Sequence, residues 1–242
     1  MTDFAAIRRH APNFRPVGEG MIAPGLLYRS GELTRLDGAA WEAMAALGIR
    51  TLIDLRGTQE IERMPVTPPA GMRLVSVPLQ PGDGRRFSTA SDGMSAAEMI
   101  GQAYRHIVSE HRAEIGRVVR LLAELETMPA VLFCTAGKDR TGILSALVLA
   151  ALDLEATEIE ADYAMTNAML TGEARQSVWD VSAKLSTFGM PSGPIVDALM
   201  AADPAYLRAA LEAVGSIADY FEALGLEPEI RDRLRDRLRL VS

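Results

Sequence analysis

The residues best suited to chemistry lie in one run, Val131 to Leu144, VLFCTAGKDRTGIL. It holds Cys134, the only cysteine among 242 residues, and Arg140 follows at the C-x5-R spacing. An apolar stretch leads into Cys134, a loop through Gly137 and Lys138 follows, and a helix begins. Strand, tight loop and helix form a geometry that binds phosphate. Loop N–H groups converge on the anion, and the helix turns its positive end toward it. The candidate phosphate contacts are Thr135, Ala136, Gly137, Lys138, Thr141 and Gly142. A nucleotide-binding P-loop is excluded: Asp139 follows Gly-Lys where that motif needs Ser or Thr, and Leu132 stands where it needs the first Gly.

The spacing instead suits a cysteine nucleophile. A loop of this length can wrap a tetrahedral oxyanion, with sulfur beneath it and the Arg140 guanidinium beside it. Nearby cations and a helix N-terminus favour the attacking thiolate. A planar guanidinium matches the equatorial phosphate oxygens of the transition state. Thr141 offers a hydroxyl to steady the departing thiolate. Asp139 is either a helix N-terminal Asp, favoured there by the open N–H groups, or a general acid for the leaving oxygen. Lys138 is either a solvated loop residue or a binder of further phosphate, which Arg85 and Arg86 could assist. Asp54, at the end of another apolar strand, either pairs with Arg56, orients Arg140 or acts as a second acid. Asp83 and Asp92 are more distant acid candidates.

These groups need a scaffold that brings strand ends together. LLYRS, IRTLIDLR, MRLVSVPL and AVLFC read as short apolar strands. Helices are expected over about 36–47, ended by Gly48, across 95–125 and over 141–152. Residues 82–94 read as a loop. The chain after Asp153 reads as helical, with breaks near Thr171, Gly189–Pro194 and Gly225–Pro228. Strands separated by helices predict an α/β fold with a mainly parallel central sheet flanked by helices. Ligands of such folds bind beyond the carboxyl ends of the strands.

At CTAGKDRTG the sequence resembles the bacterial tyrosine/dual-specificity phosphatases that also act on phosphoinositides. NFRPVG, LLYRSGELTRL, LGIRTLIDLRGTQEIE, ADYAMTN and YFEALGLEPEIRDRLRDRL extend the likeness over most of the chain. The resemblance implies a cysteine phosphatase-like fold of four or five strands, a cysteinyl-phosphate intermediate, and no metal or cofactor. It makes Cys134, Asp139 and Arg140 the catalytic residues and favours Asp139 as the acid. Phosphorylated proteins or phosphoinositides are the implied substrates. In that family the residue before the cysteine is usually His, and here it is Phe133. Support of the thiolate from that position is therefore missing, while the anion cradle stands. One phosphatase domain over 1–242 is expected, with helices at 163–202 as a lid. The alternatives are a lipid-only phosphatase and a catalytically weak phosphate-binding module.

Composition narrows the classes. An apolar fraction of 48% allows a sizeable core, and a net charge of -7 argues against a nucleic-acid partner. His10, His106 and His111 lack ligand spacing, and neither CxxC nor HExxH occurs, which argues against a metal site. A lone cysteine and the absence of a signal-peptide pattern fit a cytoplasmic protein. The apolar run Gly142 to Leu154 is too short to span a bilayer, so no stable membrane insertion is expected. Met165, Met169, Met190 and Met200 read as core packing. Ile230, Leu234 and Leu238 mark one face of a docked amphipathic helix.

Overall fold

The structure, a computed structural model, describes residues 4–80, 94–185 and 195–240. The loop expected at 82–94, with Asp83, Arg85, Arg86 and Asp92, lies almost wholly outside them, as do Met190 and the break at 189–194.

Five strands form one sheet: β1 Arg15–Pro16, β2 Leu27–Ser30, β3 Thr51–Asp54, β4 Arg73–Ser76 and β5 Ala130–Phe133. Their spatial order is β1-β2-β5-β3-β4. All neighbours run parallel except the short antiparallel edge strand β1, which the sequence reading lacked. β5 is central, and Phe133 registers with Ser30 on one side and Asp54 on the other. The carboxyl ends of β2, β3 and β5 therefore lie together, immediately before Cys134.

Alternation along the strands divides the core in two. Leu52, Val131 and Phe133 join the cluster with Ile7, Phe14 and Met44 on one face. Ile53, Leu132 and Cys134 join the larger cluster on the other. The residue before the cysteine thus packs away from it. Phe133 is fully buried, with the Arg56 guanidinium 5.5 Å from its ring centre.

Helix α1, Ala5–Arg8, precedes the sheet, and α2, Gly38–Ala46, connects β2 to β3. The Asp37 side chain caps α2 by accepting from the Ala40 N–H at 2.9 Å, and Gly48 ends it at φ 71°. A short helix the sequence reading lacked, α3 (Thr58–Arg63), follows β3. The stretch expected as helix at 95–125 is two helices, α4 (Ala96–Glu110) and α5 (Arg112–Ala123), joined at His111. Helix α6, Asp139–Ala151, leaves the cysteine loop and is buried along nearly its whole length. Its side chains are apolar on all sides because sheet and helices surround it.

The remaining helices are α7 Ala156–Ala164, α8 Thr166–Met169, α9 Gly172–Leu185, α10 Ile195–Met200, α11 Pro204–Val214, α12 Ile217–Ala223 and α13 Pro228–Leu238. Helix α13 buries Ile230, Leu234 and Leu238 in the larger cluster, the face its spacing indicates. Among the described residues no helix is long and apolar enough to cross a membrane.

Candidate active site

A strand must end and a helix must start within five residues here, and Gly137 makes that turn. Its φ is +66°, and a Cβ added there would lie 2.4 Å from the Ser30 carbonyl carbon and oxygen. Only glycine fits both the backbone angle and the close approach to β2.

The outer side of the loop is held by buried side chains. Arg29 Nη2 donates to the Gly137 carbonyl at 2.9 Å and to the Lys138 carbonyl at 3.5 Å. Asn13 Nδ2 donates to the Gly137 carbonyl at 2.8 Å and the Ala136 carbonyl at 3.4 Å. In a planar trans peptide the C=O and the next N–H point in opposite directions. Carbonyls held outward therefore turn the following amides inward. Among the described residues, the N–H groups of Thr135, Ala136, Gly137 and Lys138 donate to no acceptor. With the start of α6 they form an open set of donors beside Cys134, which is 1% exposed.

Arg140 is fixed by a residue the motif reading did not select, Glu60. The two form a close ion pair, and Arg140 Nη2 also donates to Glu60 Oε1 at 3.0 Å and to Thr135 Oγ1 at 3.2 Å. The Thr135 hydroxyl donates to the same carboxylate. Helix α3 supplies Glu60 from its first turn, where the carboxylate also accepts the Gly57 N–H at 2.7 Å. Burial alone would raise the Glu60 carboxyl, but the Arg140 charge and these hydrogen bonds outweigh it and bring it down to about 2. Burial alone would lower the Arg140 guanidinium, and Glu60 followed by the Cys134 charge outweighs that, so it stays firmly protonated.

Asp54 makes a different contact. Its Oδ2 lies 2.7 Å from Arg56 Nη2 and its Oδ1 accepts the Arg56 backbone N–H at 3.0 Å, with both side chains fully buried. Of the two readings open for Asp54, the ion pair with Arg56 is the one seen. The carboxylate on Arg140 is Glu60 instead, because α3 folds back over the loop.

Asp139 is the partly exposed carboxylate at the start of α6. Its Oδ1 accepts the Tyr104 hydroxyl at 2.5 Å and lies 3.1 Å from Lys138 Nζ. Tyr104 shares a second hydrogen bond, 2.6 Å, with the Tyr163 hydroxyl. Burial, and then the Asp139 charge, push the Tyr104 phenol well above its ordinary value, so it remains a donor. Gly142 leaves room for this pair: a Cβ there would meet the Tyr163 ring at 2.9 Å.

Lys138 departs from the expectation of a solvated or phosphate-seeking amine. It is 2% exposed, and its Nζ donates to the carbonyls of Leu199 at 2.7 Å and Ala201 at 2.9 Å. The end of α10 presents these carbonyls, and a cation there is favourable. The Thr141 hydroxyl is buried and makes no hydrogen bond among the described residues.

Above the loop lies a cavity of about 330 Å³. Cys134, Thr135, Ala136, Lys138, Asp139, Arg140 and Glu60 line one end. Its walls are apolar, from Ile100, Ile107, Val178, Trp179, Leu199 and Met200. Among the described residues no group of three or more His, Cys, Asp or Glu side chains could hold a metal ion.

Sequence reasoning missed Glu60, Tyr104, Tyr163, Asn13, Arg29 and Asp162 as individual residues. All but Tyr104 stand inside segments already quoted for their likeness to a family: GTQEIE, ADYAMTN, NFRPVG and LLYRSG. Tyr104 had no signal beyond its place on an amphipathic helix.

The chain is similar to several known phosphatases. Triple specificity protein phosphatase PtpB of Mycobacterium tuberculosis is 29% identical over 266 residues, which covers 92% of this chain and 95% of that protein. A tyrosine-protein phosphatase of Nostoc commune is 28% identical over 194 residues, covering 71% of this chain and 66% of that one. Among solved structures, the Siw14 catalytic core overlaps with a TM-score of 0.41 at 13% identity, covering 77% of this chain and 89% of that chain. TpbA of P. aeruginosa overlaps with a TM-score of 0.33 at 16% identity, covering 77% and 93%. The model of the tyrosine phosphatase family matches residues 9–240, nearly the whole chain. The protein is a phosphatase, and it belongs to the tyrosine phosphatase family.

Proposed function

We propose that this chain hydrolyses phosphomonoesters through a cysteinyl-phosphate intermediate, with aryl phosphates such as phosphotyrosine as the best-fitting substrates. The observation that carries the reading is the loop itself: unpaired amides, Arg140 and the Cys134 sulfur share one end of an otherwise apolar cavity.

Cys134 Sγ attacks phosphorus, and the bond from phosphorus to the leaving oxygen breaks. Asp139 gives its proton to that oxygen. A water oxygen then attacks the thiophosphate, Asp139 takes a proton from the water, and sulfur departs as thiolate. Loop amides and Arg140 hold the three equatorial oxygens throughout, where preorganised donors contribute most to the transition state. A guanidinium has five N–H donors; Glu60, Thr135 and the Leu79 carbonyl engage the four on Nη1 and Nη2, which leaves Nε for phosphate, and further donors follow when phosphate replaces the Leu79 and Thr135 contacts. Thr135, Ala136, Gly137 and Gly142 serve the cradle through their backbone, and Thr141 offers its free hydroxyl to the sulfur.

The apolar walls support one phosphoryl group on a flat apolar ring. Lys138 is committed to carbonyls, which weakens the case for a cup built around several phosphates. The relative from M. tuberculosis is called a triple specificity phosphatase, so phosphoserine, phosphothreonine and phosphoinositide substrates belong in the same assay. The whole chain acts as one domain in this reading. Helices within 163–202 form a lid, supported by the place of Leu170, Val178, Trp179, Leu199 and Met200 over Cys134. The single cysteine suits work in the reducing cytoplasm.

The test is phosphate release from p-nitrophenyl phosphate, phosphopeptides and a phosphoinositide panel, with excess chelator present. We expect turnover of aryl phosphates that survives chelation and vanishes in Cys134→Ser. Turnover retained by Cys134→Ser would remove the cysteine mechanism. Phosphate binding without turnover would leave the weak binding module.

A further inference from the structure

Taking Cys134–Arg140 as the phosphate site, we propose that Arg29 is a positioning residue for it. Arg29 holds the loop carbonyls outward so that the amides face the anion, and it places a buried positive charge behind the cradle.

Three successive carbonyls, those of Ala136, Gly137 and Lys138, are engaged by Asn13 and Arg29. The peptide planes that carry them also carry the N–H groups of Gly137, Lys138 and Asp139. Pulling the three oxygens one way aims the three hydrogens the other. The Lys138 carbonyl also accepts the Gly142 N–H at 2.8 Å, but without Asn13 and Arg29 the Gly137 carbonyl would be buried and unsatisfied, and a flipped peptide would turn an acceptor toward the phosphate.

Arg29 is itself held in place. It is 0% exposed, and its Nη1 donates to Asp162 Oδ2 at 2.9 Å. Asp162 also accepts the Gly18 N–H at 3.0 Å, and its backbone carbonyl accepts from Arg15 Nη2 at 2.6 Å. Arg15 is buried as well, with Nη2 3.9 Å from Asp162 Oδ2. Two guanidinium groups thus share one carboxylate. Arg15 Nε and Nη1 and Arg29 Nε are buried with no hydrogen-bond partner among the described residues. Burial, then the Arg29 charge, bring the Arg15 guanidinium down to about 9, which still leaves it charged at neutral pH. A buried surplus of positive charge is costly by itself, and an anion across the loop offsets it. Phe133 faces the other side of the sheet, so this cluster supplies a charge that position 133 does not.

The test measures binding of inorganic phosphate by calorimetry in a Cys134→Ser parent, which separates anion affinity from chemistry. Arg29→Met is expected to weaken phosphate at least tenfold, and Arg29→Lys, which keeps the charge but not the planar fork, by an intermediate factor. In the Cys134 protein the same changes should raise KM for p-nitrophenyl phosphate and lower kcat. A folded Arg29→Met protein that binds phosphate within twofold of the parent would overturn the proposal. Should Arg29→Met not fold, Asn13→Gly takes its place. Asn13 has φ 63°, which glycine accepts, so the change removes the carbonyl contacts and keeps the backbone. A several-fold loss of phosphate affinity is expected there, and unchanged affinity would again overturn the idea. A Cys134→Ser parent that binds no phosphate at all would count against the phosphate site itself rather than against Arg29.

Discussion

Glu60 illustrates how one carboxylate ties the stability of the fold to the candidate site. Its folded-state value of about 2 lies below the ordinary 4.5, so it contributes stability above pH 4.5 and loses that contribution as pH falls toward 2. A shift of this size corresponds to about 3 kcal/mol at neutral pH. Glu60→Gln should therefore flatten the acid limb of a denaturant-derived stability profile between pH 4.5 and 2. The same variant should lower kcat for aryl phosphates, because Arg140 loses the group that fixes its plane. A profile as steep as wild type over that window would show that other carboxylates carry the acid sensitivity. Gly137 makes a complementary case. At φ +66° and with 2.4 Å to Ser30, Gly137→Ala forces the backbone and β2 apart. Strain of about 1–3 kcal/mol from the angle alone is expected, with additional cost from the clash. Thermal melting should show the stability loss, and phosphate affinity should fall with it. An alanine variant with wild-type melting and affinity would refute the close approach.

At the scale of elements, the site is a meeting of helix ends and strand ends. Helix α3 delivers Glu60, α6 delivers Asp139 and Arg140, and α4 with α7 deliver the Tyr104–Tyr163 pair. The candidate lid is tied from several sides. Arg63 Nη1 donates to the Leu185 carbonyl at 2.9 Å, and Asn167 exchanges two hydrogen bonds with Ala202, at 3.0 and 2.7 Å. Lys138 adds its two bonds to the end of α10. Lys138 therefore joins the cysteine loop to α10. Lys138→Met should loosen that joint. Hydrogen exchange of α10 amides should quicken, while exchange in α6, deep in the core, stays as slow as in wild type. No change in α10 exchange would show that the Asn167 clasp alone secures it.

At the scale of the whole molecule, the cluster that receives Cys134 also receives the last helix. Leu234 and Leu238 are fully buried within it. Truncating Leu234 to alanine should cost about 2–5 kcal/mol by transfer and cavity terms. For a chain of this length that is a fall in Tm of roughly 5–15 °C. Activity per folded molecule, measured well below the transition, should stay near wild type, since Leu234 is not among the residues lining the cavity over Cys134. A large loss of kcat without a loss of Tm would contradict this division of labour.

The sequence alone determined the fold class, the family and most of the order of elements, though not β1, α3 or the break at His111. Cys134 and Arg140 were legible as candidates because C-x5-R is a local spacing, set by the length of one loop. The four apolar runs were legible as strands: β2, β3 and β5 are buried along their whole length, and the edge strand β4 keeps Leu74 and Val75 half-buried. The partners of those groups were not legible, since they come from remote positions. Whether Asp54 or Glu60 would meet Arg140 depended on a six-residue helix, α3, folding back across the strand ends. Whether Lys138 would be solvated, meet phosphate or bind other carbonyls depended on where α10 ends. Phe133 and Cys134 are neighbours in sequence, yet strand alternation sends one to each face. NFRPVG, LLYRSG and ADYAMTN lie far apart in the chain, and Asn13, Arg29 and Asp162 meet only because β2 lies beside β5 and α7 packs on α6. Local spacing encodes the reacting groups, whereas long-range packing decides which charges hold them.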